Sequence, residues 1–338
     1  MSLLAQQETT AGEQPNLRSE LKALVEGCGA YEVDRTLVSL AGKDRIRWLN
    51  GMVSNNIRDL APGLGVYAFV LNPQGQIQGD LYAFNRGETL ILEIERAQAG
   101  LLPLLRRYII MDKVEVQELG DSVAICGIAG AKAAQVIESL GIRAPETPLA
   151  LSEANWNGVA VTVVRGDNPC VANYEFWVPK EQAEAFRAAV LKAGALEVHG
   201  PTLDAFRIVC GIPKMGVDIR ERTLPQEAAQ DRALNFNKGC YIGQEIVERI
   251  RARGSVHRQL TGFEVSGSVP TDGSSIQVNG KEVGLITSTA TIPTSASARV
   301  IALGLLRKEH LTSDASFEVG AATVRPVPLP FSSLIQQL

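Results

Sequence analysis

Leu17, Leu21, Leu24 and Val25 fall on one stripe of a helix, so residues 16–25 read as an amphipathic helix. The pattern then changes period. Residues 36–41 read as a strand that stops at Gly42. Residues 44–52 return to helical spacing through Ile46, Leu49 and Val53. Residues 65–71 and 76–84 read as strands on either side of Asn72-Pro73-Gln74-Gly75, where proline and glycine suit the central turn positions. A strand over 89–95, a helix over 97–110 and a strand over 114–117 complete this unit.

The same order of elements recurs. Strands are predicted over 123–128, 159–165, 174–178 and 196–199, with helices over 131–140 and 180–193. Two tandem βαββαβ-like units predict two ferredoxin-like α/β halves. After residue 258 serine, threonine, glycine and valine dominate. Asp272-Gly273 and Asn279-Gly280 punctuate short alternating runs, and Asn-Gly between such runs is a strong hairpin signal. This predicts a small all-β barrel or sandwich over residues 258–328.

The chain has 338 residues, enough for two or three domains. It is 45% hydrophobic and 21% charged, ordinary for a globular protein. No apolar run is long enough to predict a membrane span. Residues 1–14 are polar and acidic, without the basic-then-apolar order of a secretory signal, which predicts a frayed tail. The net charge of -4 argues against a general nucleic-acid binder. The cysteines number five (Cys28, Cys126, Cys170, Cys210 and Cys240), with no C-x-x-C pair. That fits a reducing cytoplasm and not a disulfide framework or zinc ribbon. The histidines have no metal-ligand spacing, and no metal site is expected.

The most chemically suggestive segment is Lys238-Gly239-Cys240-Tyr241-Ile242-Gly243-Gln244-Glu245. Gly239 and Gly243 permit a sharp turn or a close approach to a ligand. Lys238 and a helix start would both favour the thiolate of Cys240. The plainer alternative is a small buried hydrophobe, the behaviour of most free cysteines.

This octapeptide resembles the K-G-C-[FY]-x-G-Q-E motif of the YgfZ family of folate-binding proteins, relatives of the glycine cleavage T-protein, an aminomethyltransferase. The stretch from Arg207 to Asp218, with Gly211-Ile212-Pro213, is similar to the family's "GIP-x-x-G-x-D". Asn50-Gly51-Met52-Val53-Ser54-Asn55-Asn56 resembles its "x-G-x-[VI]-[ST]-N-D", with Asn56 in place of aspartate. The resemblance covers roughly residues 30–330. It implies an α+β fold of two ferredoxin-like units and a C-terminal β-barrel around a central channel. Expected boundaries are a tail to residue 15, a first unit over 16–120 completed by 200–250, a second over 121–199, the motif segment over 200–257 and the barrel over 258–338.

The resemblance also implies tetrahydrofolate or a derivative in the channel. Tyr174-Glu175 matches the family's "[YF]-E" position, where the glutamate holds the pterin ring. On a strand Asn173, Glu175 and Trp177 share one face, and Tyr174, Phe176 and Val178 the other. One carboxylate can accept the adjacent N–H and amino donors of pterin. The plainer alternative is a solvated glutamate. Asn55, Lys238, Gly239, Tyr241, Gly243, Gln244 and Arg253 are further expected binding residues.

Two further features bear on activity. The T-protein carries two adjacent aspartates after a glycine-rich turn; here they become Gly79-Asp80. Asp80 is a plausible proton-transfer group, or else a polar residue at a strand edge. Arg249, Arg251 and Arg253 point one way if extended, as a face for the folate tail or a phosphate backbone. They spread out if helical.

Three functions follow. The resemblance implies a folate-binding factor for iron–sulfur cluster assembly or repair, and through it for tRNA modification, with Cys240 reactive. Its expected partners are iron–sulfur enzymes or their assembly machinery, and a cytoplasmic monomer without membrane partner is expected. The second is a true aminomethyltransferase, against which Cys240 and the lost aspartate count. The third is direct RNA binding through the arginines, disfavoured by the acidic balance.

Overall fold

The computed structural model describes residues 16–254, 256–311 and 315–338. The tail anticipated over residues 1–15 lies outside them, as does the side chain of Arg253.

The first sheet holds Gly65–Leu71, Ile77–Asn85, Leu90–Glu95, Arg35–Ala41 and Glu115–Glu118, in that spatial order. Every neighbouring pair is antiparallel. Side chains alternate between its faces. Leu81 and Ala83 join Val38, Leu40, Trp48 and Leu49 beneath helices Arg45–Met52 and Leu101–Arg106. Asp80, Tyr82 and Phe84 point the other way.

The second sheet runs Leu196–Glu197, Gly29–Glu32, Val123–Ala129, Asn173–Pro179, Val159–Arg165, Leu151–Trp156. One face packs Tyr174, Phe176 and Val178 on Val136, Ile137 and Phe186 of the covering helices. The opposite face turns Ile125, Val164 and Trp177 onto Leu37, Phe84 and Ile91 of the first sheet. The Phe84 and Trp177 rings meet edge-on at 5.4 Å. Burying each such large apolar side chain contributes roughly 1.5–3 kcal/mol, which holds the sheets face to face.

The barrel closes through Arg258–Ser266, Ala298–Arg307, Lys281–Pro293, Ser275–Val278, Phe317–Val319 and Ala322–Val327. Phe263, Ile276, Ile286, Leu306 and Phe317 fill it. Asn279 and Gly280 have φ of +50° and +73°, the left-handed pair a two-residue hairpin needs. Helix Gly200–Val209 packs Phe206 and Val209 against Ile292, Ile301 and Leu303 on the barrel's outside. The mixed α/β architecture agrees with the expectation, and of the two all-β forms that the periodicity allowed the C-terminal domain takes the closed barrel.

Some elements differ from expectation. The helix expected over 97–110 is a short turn at Arg96–Gln98 and a helix at Leu101–Arg106. Gly100 interrupts the run, and Pro103, which lacks an amide hydrogen, is tolerated only in a first helical turn. Strand Leu151–Trp156, at the sheet edge, was not expected: Ser152, Glu153, Ala154 and Asn155 give it no β-branched residue and little apolar character. Gly29–Glu32 was too short to signal, yet it pairs with both Leu196–Glu197 and Val123–Ala129. The arginines at 249–253 are helical, within Gln244–Arg253, and form no single extended face. Arg251 instead stacks on Phe236 and faces Glu248. Among the described residues no helix is long and apolar enough to cross a membrane.

Candidate functional site

A cavity of about 450 Å³ lies between the facing sheets and helix Gly200–Val209. Small-molecule sites fall at roughly 300–1,000 Å³. Three charged side chains converge there. Arg35 starts its strand, Glu93 lies on the neighbouring strand opposite Leu37, and Glu175 comes from the second sheet. The Arg35 Nη1 donates to Glu93 Oε1 at 2.8 Å and to Glu175 Oε1 at 3.0 Å. Glu93 is 1% exposed and Glu175 7%. One guanidinium thus serves two buried carboxylates.

That imbalance sets the electrostatics. Burial pushes the pKa of Glu175 well above the usual carboxylate range, and Glu93 pushes it further while Arg35 opposes. Burial works against the charge on Arg35 as well, but the two carboxylates outweigh it. Glu93 Oε2 is buried with no hydrogen-bond partner. The cluster therefore lacks N–H donors, and a ligand that brings them would satisfy it.

Aromatic rings complete the wall. Tyr82 pairs with Glu93 across the first sheet, and Arg35 lies 5.2 Å from its ring centre. Its hydroxyl donates to Asp167 Oδ1 at 3.1 Å. Arg232 forms an ion pair with Asp167 and stacks 4.1 Å over Tyr67. A second cavity of about 500 Å³, lined by Cys210, Gln259, Thr261 and Pro326–Pro330 among others, shares Asp167, Ile212 and Arg232 with the first. The Arg232–Asp167 pair is thus part of the wall between them.

Asp80 sits behind this wall and not among the residues lining it. Tyr67 Oη donates to its Oδ2 at 2.5 Å, and Gln98 Nε2 to its Oδ1 at 2.6 Å. Burial raises its pKa, while the bonds from Tyr67 and Gln98 pull it down. A side chain at neighbouring Gly79 would place its Cβ 2.7 Å from Gln98 Oε1 and Leu101 Cδ1. A second aspartate would displace the ends of these two flexible side chains.

The octapeptide lies elsewhere. Lys238 Nζ donates to the carbonyls of Asn50, Val53 and Asn55 at 2.7, 2.6 and 2.7 Å. All three ammonium hydrogens are used, so Lys238 fastens the loop to the segment Asn50–Asn55. Burial and the neighbouring Arg58 push its pKa down to about 7, against the pull of the three carbonyl dipoles. Gln244 Oε1 accepts the Tyr241 amide at 2.9 Å and so braces the start of its helix. Gly243 has φ +83°, and a Cβ there would meet the Asn72 carbonyl oxygen at 2.6 Å. Gly239 is exposed, and Tyr241 lies 4.8 Å beneath Lys238 Nζ. The Cys240 side chain is exposed, contrary to the plainer reading of a buried thiol.

The structure therefore separates residues that the sequence grouped. Glu175 faces the cavity; Lys238, Gly239, Cys240, Tyr241, Gly243 and Gln244 do not line it. Tyr174 is corrected: strand alternation buries it in the helix-facing core, under the Arg165 guanidinium. Asn55 joins the two regions. Its carbonyl takes Lys238, and its amide donates to the carbonyls of Tyr67 at 2.8 Å and Arg232 at 2.9 Å. Sequence reasoning missed Arg35, Glu93, Asp167 and Arg232. Only Glu93 left a signal, as an acid inside the apolar run Leu90-Ile91-Leu92-Glu93-Ile94.

Comparison with known proteins identifies the family and the fold. Residues 7–238 match the GCVT N-terminal domain, and residues 258–332 the glycine cleavage T-protein C-terminal barrel domain. An aminomethyltransferase of Caldanaerobacter subterraneus is 26% identical over 297 residues, 82% of this chain and 76% of that protein. One from Rubrobacter xylanophilus is 25% identical over 325 residues, covering 93% and 86%. The crystal structure of aminomethyltransferase T of the glycine cleavage system from Bartonella henselae superposes with a TM-score of 0.83, at 20% identity, over 93% of this chain and 89% of that one, and so shares the fold. The chain belongs to the glycine cleavage T-protein family, with both its N-terminal domain and its C-terminal barrel.

Proposed function

We propose that this protein binds tetrahydrofolate between its two sheets and supports iron–sulfur cluster assembly or repair in the cytoplasm through the thiol of Cys240. The observation that carries the folate reading is Arg35 held between Glu175 and Glu93, with Glu93 Oε2 left without a donor. Pterin offers adjacent N–H and amino donors, and a carboxylate can accept both. Glu175 would hold that edge, Glu93 would offer a further acceptor, and Tyr82 a ring face. Tetrahydrofolate supplies nitrogens able to carry one-carbon units.

Two observations favour the cluster factor over a transferase. Asp80 is enclosed by Tyr67 and Gln98, and Cys240 is exposed where a macromolecular client can reach it. Its clients would be iron–sulfur enzymes, including those that thiolate tRNA. Aminomethyl transfer is the second reading, favoured by the names of the relatives.

Calorimetric titration with tetrahydrofolate tests the pocket. Wild type is expected to bind in the micromolar range and Glu175→Ala not to bind; a silent wild type would sink the folate reading. Complementation of cells lacking the gene tests the thiol. Full rescue of an iron–sulfur enzyme by Cys240→Ser would sink the cluster reading, and aminomethyl exchange with a lipoyl carrier protein would establish the second.

A further inference from the structure

Strand Leu90–Glu95 turns Ile91 and Glu93 to the same face, and Ile91 packs there with Leu37, Phe84 and Trp177 in the apolar contact between the sheets. Position 93 therefore has the setting of a core aliphatic, yet it carries a carboxylate that is 1% exposed. Burying such a group is costly unless all its lone pairs are met. Arg35 meets Oε1 at 2.8 Å, and Oε2 has no hydrogen-bond partner among the described residues. Tyr82, the cross-strand neighbour, sends its hydroxyl to Asp167 instead. Nothing in the fold uses Oε2, and Glu93 lines the first cavity. Glu175 bonds the same Arg35 nitrogen at 3.0 Å, so the two carboxylates sit side by side.

Resting on the folate reading above, we infer that Glu93 reads the oxidation state of the pterin ring, by accepting the N8–H that only reduced folates carry. With Glu175 on the 2-amino and N3–H edge, the next ring N–H on the amino side is N8–H. N5 lies at the far side, beside the C4 carbonyl, whose oxygen repels a carboxylate. Tetrahydrofolate and dihydrofolate both carry N8–H. In folic acid N8 is a bare lone pair and would face the lone pairs of Oε2. A site built to accept an N–H rejects an analogue that lacks it, because its own buried acceptor stays unpaired.

The test is calorimetry under argon with tetrahydrofolate, dihydrofolate and folic acid on the full-length protein. Wild type is expected to bind the two reduced forms within about threefold of each other and folic acid roughly ten- to hundredfold more weakly, the cost of one unmet buried acceptor. In Glu93→Gln, Arg35 keeps the amide oxygen on its own side, which puts the amide NH2 where Oε2 stands. That group donates to the bare N8 of folic acid, so the preference is expected to vanish or invert. A role of Glu93 in holding Arg35 alone would weaken all three ligands by one factor and leave their ratios as they are. Unchanged ratios in the variant, equal affinity of wild type for folic acid and tetrahydrofolate, or dihydrofolate behaving like folic acid would each overturn the role of Glu93 while the folate site stands. A wild type that binds none of the three removes the site itself, and the role of Glu93 with it. If the variant does not fold, the wild-type series decides alone.

Discussion

Lys238 and Asn55 are joined by an ammonium-to-carbonyl bond of 2.7 Å, and Asn55 in turn holds the backbones of Tyr67 and Arg232. The motif loop is thereby fastened to the cavity wall, although Cys240 itself does not line the cavity. Replacing Lys238 by alanine leaves three carbonyls without their charged donor. Urea unfolding of Lys238→Ala is expected to show a loss of about 2–4 kcal/mol. A loss under about 0.5 kcal/mol, the range of ordinary surface changes, would refute the fastening role.

Arg35→Met removes the one guanidinium serving two buried carboxylates. Breaking a buried pair from one side costs about 3–5 kcal/mol, because a charge is left uncompensated. The loss is measured by denaturant titration at pH 7.5, and a loss under about 0.5 kcal/mol would refute the pairing.

Glu175 predicts a pH dependence of definite sign. Below its usual pKa of 4.5 the group is protonated in both folded and unfolded chains and contributes no slope. Above 4.5 the unfolded chain releases the proton while the buried group retains it, so the folded state loses stability as pH rises toward the raised folded pKa. Glu175→Gln cannot ionise. It is expected to be more stable than wild type at pH 8, by about 1–2 kcal/mol, and equal to it near pH 4. Melting curves across this range check the crossover. A variant that gains nothing at pH 8 shows that the carboxylate is adequately paired by Arg35 alone.

Brief iodoacetamide treatment of the folded protein is expected to label Cys240 first, because its thiol is exposed while Cys28 and Cys126 are buried. Peptide mapping against time reads the order. Cys240→Ser should leave stability within about 0.5 kcal/mol of wild type.

Gly243→Ala is expected to cost about 1–3 kcal/mol, since a left-handed residue with a Cβ is strained and the Asn72 carbonyl blocks it. Thermal unfolding of this variant beside Gly239→Ala separates the two glycines, because Gly239 has only Arg58 Nη2 near its Cβ position, at 3.5 Å.

The barrel and most strands of the two sheets were legible because their signals are local: apolar or alternating runs along each strand, and Asn279-Gly280 at a tight hairpin; the edge strand Leu151–Trp156 and the short Gly29–Glu32 were not. Glu175 was legible as an acid in an aromatic strand. The same alternation already put Tyr174 on the opposite face; only the motif match grouped the two. The fastening role of Lys238 was not legible because its acceptors, Asn50, Val53 and Asn55, lie more than 180 positions away. Arg232 and Asp167 stood in loops with no periodicity, and only folding brings them onto Tyr67 and Tyr82.

The Arg232–Asp167 pair has a consequence for how the two cavities are read experimentally. If both chambers take ligands, a movement of this shared pair would tie their affinities together. A ligand that draws this pair toward one side changes the affinity of the other side, and the second ligand must return the same factor to the first. Saturating either chamber while titrating the other therefore measures a single coupling free energy twice, and the two values have to agree.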